Sequence, residues 1–160
     1  MNHQHIIFVC TSCRSSHQTK EYVAKSGGEL LLEKLQTLYH NWVLQDEFSI
    51  QPVECMGVCD QACAIAFVSP NKHTYLFGDL PADAECVEKT ATAVLDCASQ
   101  YHTKSDGLLP YAKRPELLRA GAIARIPPMP PCQSLRSKSK VKSTNPINKF
   151  RGLYLFLFGQ

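Results

Sequence analysis

A single α/β domain in which a βαβ unit is followed by ββα is the fold class this sequence predicts. Three observations predict it. Two short apolar runs, "IIFVC" at 6–10 and "FSIQPVEC" at 48–55, each end at a cysteine. Between them lies a capped stretch with apolar residues at helical spacing. After them, two β-rich segments around a Pro-Asn-Lys turn lead into a second such stretch. At 160 residues the chain can bury one proper core but is short for two.

The elements follow in order. "IIFVC" lacks alternation, which predicts a strand covered on both faces. Ser26 and Glu29 then stand in capping-box spacing before "LLLEKLQTLYHNW", so a helix starts there. Leu31, Leu35, Leu38 and Trp42 fall at i, i+4, i+7 and i+11 and form its apolar stripe. "FSIQPVEC" alternates imperfectly around Pro52, as a short or edge strand does. "AIAFVSPNKHTYLFGDL" reads as a hairpin. Asp83 can cap a second helix, "AECVEKTATAVLDCASQY", whose buried stripe is Val87, Ala91, Val94 and Ala98. Beyond it come a turn at Asp106-Gly107, a short helix opened by Pro115 and a stop at Gly121. A parallel crossover pair, an antiparallel hairpin and helices on the sheet make up the thioredoxin-like order.

Charge divides the chain at about residue 127. Residues 1–126 carry 11 basic and 14 acidic residues, net −3, and form the expected metal-binding domain. Residues 127–160 hold six basic and no acidic residues, with prolines and serines and no apolar periodicity until the end; they are expected to be a disordered basic tail. A mildly acidic body gives no basic face for phosphates, so no nucleic-acid partner is expected. The start "MNHQHIIFVC" lacks a basic n-region and a long apolar core, and the terminal "LYLFLF" is far below the roughly 20 residues a bilayer needs. The expectation is a cytoplasmic protein without a membrane segment.

In that reducing compartment, eight cysteines in grouped spacings argue for metal ligation or redox chemistry rather than a disulfide framework. Cys10 and Cys13 form C-x2-C at the exit of one strand, and Cys55 and Cys59 form C-x3-C at the exit of another. In a parallel βαβ unit both exits lie on one sheet edge, so the pairs should face each other as a four-thiolate site. Such a site suits zinc or an iron-sulfur cluster, with one pair able to serve each iron of a 2Fe-2S centre. Cys63 is a fifth thiol. It is either a small buried residue before the next strand or a spare ligand able to replace Cys13. Were residues 55–63 helical, Cys55, Cys59 and Cys63 would share a face. Cys86 and Cys97 read as core residues of the second helix, and Cys132 as incidental in the tail. His17 is the one histidine beside a cysteine motif, and no histidine pair stands at i, i+4. Arg14, Arg114, Arg119 and Arg125 could steer an acidic partner, although such residues more often cap helices. Asp60, Asp79 and Asp106 read as turn or cap residues. No Gly-rich phosphate loop or serine elbow is present.

Taken together, the first strand and its cysteine, the helix, "VECMGVCDQAC", the hairpin and the second helix resemble the thioredoxin-like 2Fe-2S ferredoxins over residues 5–101. Within that clan, "VCTSCR", "CMGVCDQACAIAF", "YLFGDL", "DGLLPYAKRPELLR" and "ARIPP" resemble a bacterial family of predicted metal-binding proteins with a domain of unknown function, as far as Pro128. The resemblance matches Cys10 to the first ferredoxin cysteine and Cys55 and Cys59 to the closing pair. Two departures stand out: Cys13 follows Cys10 after only two residues, and Cys63 stands where a glycine or proline is usual.

Three functions compete. The first is a small 2Fe-2S protein for electron transfer or cluster binding through Cys10, Cys13, Cys55 and Cys59, its acidic body docking a redox partner. The alternative is a module that binds zinc or another metal and passes it to an accepting protein, with Cys63 as a fifth ligand. The third is a C-x2-C dithiol oxidoreductase; the absence of a helix directly after the motif argues against it. The expectation is therefore a carrier or metal-binding protein rather than an enzyme. Its oligomeric state is open, a homodimer included.

Overall fold

The first strand, β1 (His5–Cys10), alternates in burial although its residue types do not: His5, Ile7 and Val9 are buried while Ile6 and Phe8 are half-buried. The computed structural model describes residues 4–13 and 25–129. In it, β1 is covered fully on one face and partly on the other, which corrects the expectation of a strand covered on both. The reason lies in the helices. Both α1 (Gly27–Tyr39) and α2 (Val87–Thr103) stand on the same side and pack against each other.

The capping box forms as its spacing predicts: Glu29 N donates to Ser26 Oγ at 3.1 Å and Ser26 N to Glu29 Oε2 at 2.7 Å. From there α1 lays Leu31 and Leu35 into the core, both with no exposed surface. Leu38 and Trp42 pack against it from the rim, and the helix ends before Trp42. In α2 the stripe Val87, Ala91, Val94 and Ala98 is buried, together with Cys97 and Tyr101. Its start differs from expectation by one turn. Asp83 Oδ1 accepts from Glu85 N and Cys86 N in a lead-in turn, and Cys86 is a half-buried N-cap rather than a core residue inside the helix.

One mixed sheet carries the strands in the order β2-β1-β3-β4-β5. β2 (Phe48–Val53) runs parallel to β1 across the α1 crossover and forms an edge, where Pro52 costs no ladder bond on its open side. β3 (Ile65–Val68) pairs antiparallel with β1, and β4 (Thr74–Phe77) closes the hairpin at a turn with Asn71 at φ 60°. After the short α3 (Glu116–Arg119), residues Ala122–Ile126 add β5 to the free edge of β4. The sequence gives no warning of this fifth strand, whose side chains are only half-buried or exposed. Its reason is the exposed ladder of β4, not a pattern of its own.

Phe48, Phe67, Tyr75, Phe77 and Tyr101 fill the space between sheet and helices. The two tyrosines keep their hydroxyls satisfied: Tyr101 Oη donates to the His73 carbonyl at 2.9 Å and Tyr75 Oη accepts from Leu109 N at 3.1 Å. Among the described residues, no helix is long and apolar enough to cross a membrane. Arg14, His17, Cys132, "LYLFLF" and nearly all of the expected tail lie outside the described residues.

Candidate metal centre

The βαβ topology brings the two strand exits together. Cys10 is in register with Val53, and the loops continue side by side: Thr11 N donates to Val53 O at 2.8 Å and Ser12 N to Glu54 O at 3.1 Å. Cys10 N reaches Ala64 O on the other side at 3.0 Å. The start of α1 closes the third side. Gly28 N donates to the Cys13 carbonyl at 3.0 Å, and Ser26 Oγ donates to the Thr11 carbonyl. Gly28 is needed here because a Cβ would fall 1.9 Å from the Cys10 carbonyl oxygen. Although α1 does not follow the C-x2-C motif in sequence, its positive end packs onto that loop.

Five cysteines converge on this edge with unequal exposure. Cys10, Cys13 and Cys63 are buried at 1%, 4% and 0% exposure, whereas Cys55 and Cys59 are exposed. The thiols associate as two pairs. Burial pushes the Cys10 thiol up, but hydrogen bonds from Cys13, Met56 and Ser12 outweigh it and leave Cys10 below the ordinary thiol value. Cys13 goes the other way, to about 12, through burial and its bond to Cys10. On the facing loop Cys59 is raised by its hydrogen bond to Cys55, and Cys55 Sγ accepts from Gly57 N at 3.3 Å. The charge of Cys10 is felt at both Cys59 and Cys63, so the two pairs and the fifth thiol share one neighbourhood.

The 55–63 stretch is a loop with a 3₁₀ turn at Cys59–Gln61, not an α-helix, so its three thiols do not share a face. Cys63 points inward, its Sγ donating to the Cys13 carbonyl at 3.9 Å, and burial lifts its thiol to about 12. The four sulfurs of one tetrahedral zinc stand about 3.8 Å apart, given Zn–S bonds of about 2.3 Å. Among the described residues, no three cysteine sulfurs lie mutually within 4.8 Å. The edge therefore offers two pairs and a buried spare, not a closed four-thiolate set.

One group does meet that criterion, and sequence reading missed it. His5, Glu47 and His102 place their ligand atoms within 4.8 Å of one another, so they could hold a metal ion. They come from the start of β1, the residue before β2 and the last turn of α2. The only local signal was His5 itself, two and four residues before the buried Ile7 and Val9 and hence on the core face of the strand. Of the arginines, Arg114 is structural: its Nε and Nη2 donate to the Leu109 carbonyl, and its guanidinium lies over the Tyr75 and Phe77 rings. Asp106 is a turn residue as expected, its Oδ1 accepting from Leu108 N at 2.9 Å.

Residues 7–128 match a family model described as "Protein of unknown function (DUF1636)". No curated protein matches the chain. A similar solved structure is that of a thioredoxin-like [2Fe-2S] ferredoxin from Aquifex aeolicus, 16% identical, with a TM-score of 0.46 over 82% of this chain and 98% of that one.

Proposed function

This chain belongs to the DUF1636 family, and we propose that it is a metal-binding module that takes up a thiophilic ion of the zinc class at its cysteine edge and passes it to an accepting protein in the cytoplasm. The observation that carries this reading is the split of five thiols into an exposed pair, Cys55 and Cys59, and a buried group, Cys10, Cys13 and Cys63. An ion can meet the outer pair first, and closure of its loop would bring the inner thiols into range. Hydrogen bonds hold Cys10 below the ordinary thiol value, which moves it toward the thiolate, the form that binds metal. A spare thiol suits exchange, since a leaving ion needs a ligand to move to. The element order supports a thioredoxin-like scaffold for this edge.

A second reading, a 2Fe-2S protein for electron transfer, is favoured by the pairing itself. Each pair could serve one iron, so the gap between pairs is no obstacle to a two-iron centre. Four thiols from two adjoining loops fit that donor set, and the cluster would supply one-electron chemistry. The residues hold the pairs on a fixed strand end and cover the inner one.

Anaerobic expression followed by iron, zinc and acid-labile sulfide analysis on one sample separates these readings. We expect a colourless protein with zinc and no sulfide, and loss of the thiolate-bound ion in Cys10→Ser and Cys59→Ser. Equal iron and sulfide, with a visible spectrum bleached by dithionite, would replace this reading with the 2Fe-2S one. Absence of any metal would leave the Cys10–Cys13 dithiol, whose unequal thiols are what such chemistry uses.

A further inference from the structure

At the opposite end of β1 from Cys10, His5 is 5% exposed and neither of its ring nitrogens has a hydrogen-bond partner among the described residues. An unsatisfied buried polar group costs about 1–3 kcal/mol. The rings of Phe48, 4.8 Å away centre to centre, and Tyr101, at 6.2 Å, would accept a phenylalanine here without that cost. The nitrogens are not aimed at nothing, however. The His102 ring lies 5.0 Å from that of His5 at 56°, and Glu47 Oε2 stands 3.9 Å from His102 Nε2.

We propose that His5, Glu47 and His102 form a second binding site, for a divalent first-row transition-metal ion, separate from the cysteine edge. Two imidazoles and a carboxylate suit zinc, cobalt, nickel or copper, whereas calcium and magnesium want oxygen alone. Bonds of about 2.0–2.1 Å around a tetrahedral ion set ligand atoms roughly 3.3 Å apart. The three groups stand within 4.8 Å, so closing on an ion takes shifts of about 1.5 Å. Glu47 and His102 have room for this, with side chains 52% and 32% exposed, while His5 is held by packing. The same exposure leaves a fourth position open to water.

The surroundings fit this use. His5 N donates to the Glu47 carbonyl at 3.2 Å, and that carbonyl lies beside the imidazole but outside hydrogen-bonding geometry. A small ring rotation would let it accept from the nitrogen facing away from the ion, the usual outer partner of a metal-bound histidine. Lys72 is the opposing influence. Its Nζ donates to the Tyr101 and His102 carbonyls at 3.2 and 2.9 Å, and its charge works against a cation. The Glu47 carboxylate counters that charge, and the strong metal–imidazole bonds of the zinc class must do the rest. No thiol takes part, so this site stands whether or not the cysteine edge binds metal.

Cobalt(II) titration of the full chain under reducing conditions tests the proposal, because thiolate-bound cobalt shows a sulfur charge-transfer band and imidazole–carboxylate cobalt shows only weak d–d bands. We expect one cobalt per chain of the second kind. Glu47→Gln and His102→Ala should each weaken it by more than the roughly 10–100-fold that loss of an outer-shell partner costs. The double variant Cys55→Ser, Cys59→Ser should leave it intact. His5→Phe should lose the ion while staying at least as stable as the metal-free parent. No cobalt lacking the charge-transfer band, or unchanged binding in Glu47→Gln and His102→Ala, would overturn the proposal.

Discussion

Gly28 sets how closely α1 can approach the cysteine loop. Its Cα hydrogens face the Cys10 carbonyl, and the 1.9 Å left for a Cβ cannot be relieved by moving a flexible side chain, since the obstacle is backbone. Gly28→Ala should therefore push the helix off the loop and cost on the order of 3 kcal/mol in urea-unfolding experiments. A substitution at an exposed helical glycine would instead be worth about 1 kcal/mol in favour of alanine. Cys63 and Cys10 show the same dependence on place. Both are buried thiols within one short edge, yet Cys63 is lifted to about 12 by burial while hydrogen bonds hold Cys10 down. Spacing along the chain cannot foretell that difference, which arises from the backbone of Met56 and the side chains of Cys13 and Ser12. The clustering of Cys10, Cys13, Cys55 and Cys59 on one edge was readable, because parallel pairing follows from a helical crossover. The trio of His5, Glu47 and His102 was not, since 42 and 55 residues separate its members and only the folded chain brings them together.

The first helix is fastened at the level of the element. The Ser26 hydroxyl accepts from Glu29 N and donates to the Thr11 carbonyl, so one side chain both caps α1 and ties it to the C-x2-C loop. Ser26→Ala should cost about 1–2 kcal/mol, the upper part of the range for a lost cap. It should also speed alkylation of Cys10 and Cys13, measured by mass spectrometry under native conditions, and equal rates in both proteins would argue against the tie. The capping box, the Pro-Asn-Lys hairpin and the α2 stripe were legible because each is a local pattern with a local cause. β5 was not, since "AIARI" buries no face and exists only as a partner for β4. The start of α2 was misplaced for a related reason: Asp83 does cap backbone amides, but those of a turn one step before the helix.

For the whole molecule, the core contains ionisable groups that folding keeps neutral. Burial lifts the Cys97 thiol from 9.0 to about 12, and burial likewise raises Tyr101. These acids bind their protons more tightly in the folded state. Above pH 9 the unfolded chain therefore loses protons that the folded chain keeps, and stability falls as pH rises toward 12. For Cys97 alone the loss between pH 9 and 10 is about 1 kcal/mol. Cys97→Ala should show a shallower decline than the parent in unfolding experiments at pH 8, 9 and 10. Parallel curves would mean that the Cys97 thiol ionises as freely in the folded protein as in the unfolded one.

β1 is bonded on both sides, parallel to β2 and antiparallel to β3, and its first and last residues, His5 and Cys10, are both candidate ligands. From His5 to Cys10 is five steps of about 3.3 Å, or roughly 17 Å of strand. That interior ladder belongs to the part of a protein that opens only with global unfolding, whereas loops and helix ends open far more often. An ion held at either end would thus leave by local breathing of the 54–63 loop or of the end of α2, while the strand itself stays put. If ions bind as proposed, the lifetime of a bound ion and the lifetime of the fold would be decoupled in this way, and the protein would empty and refill many times within one folded life.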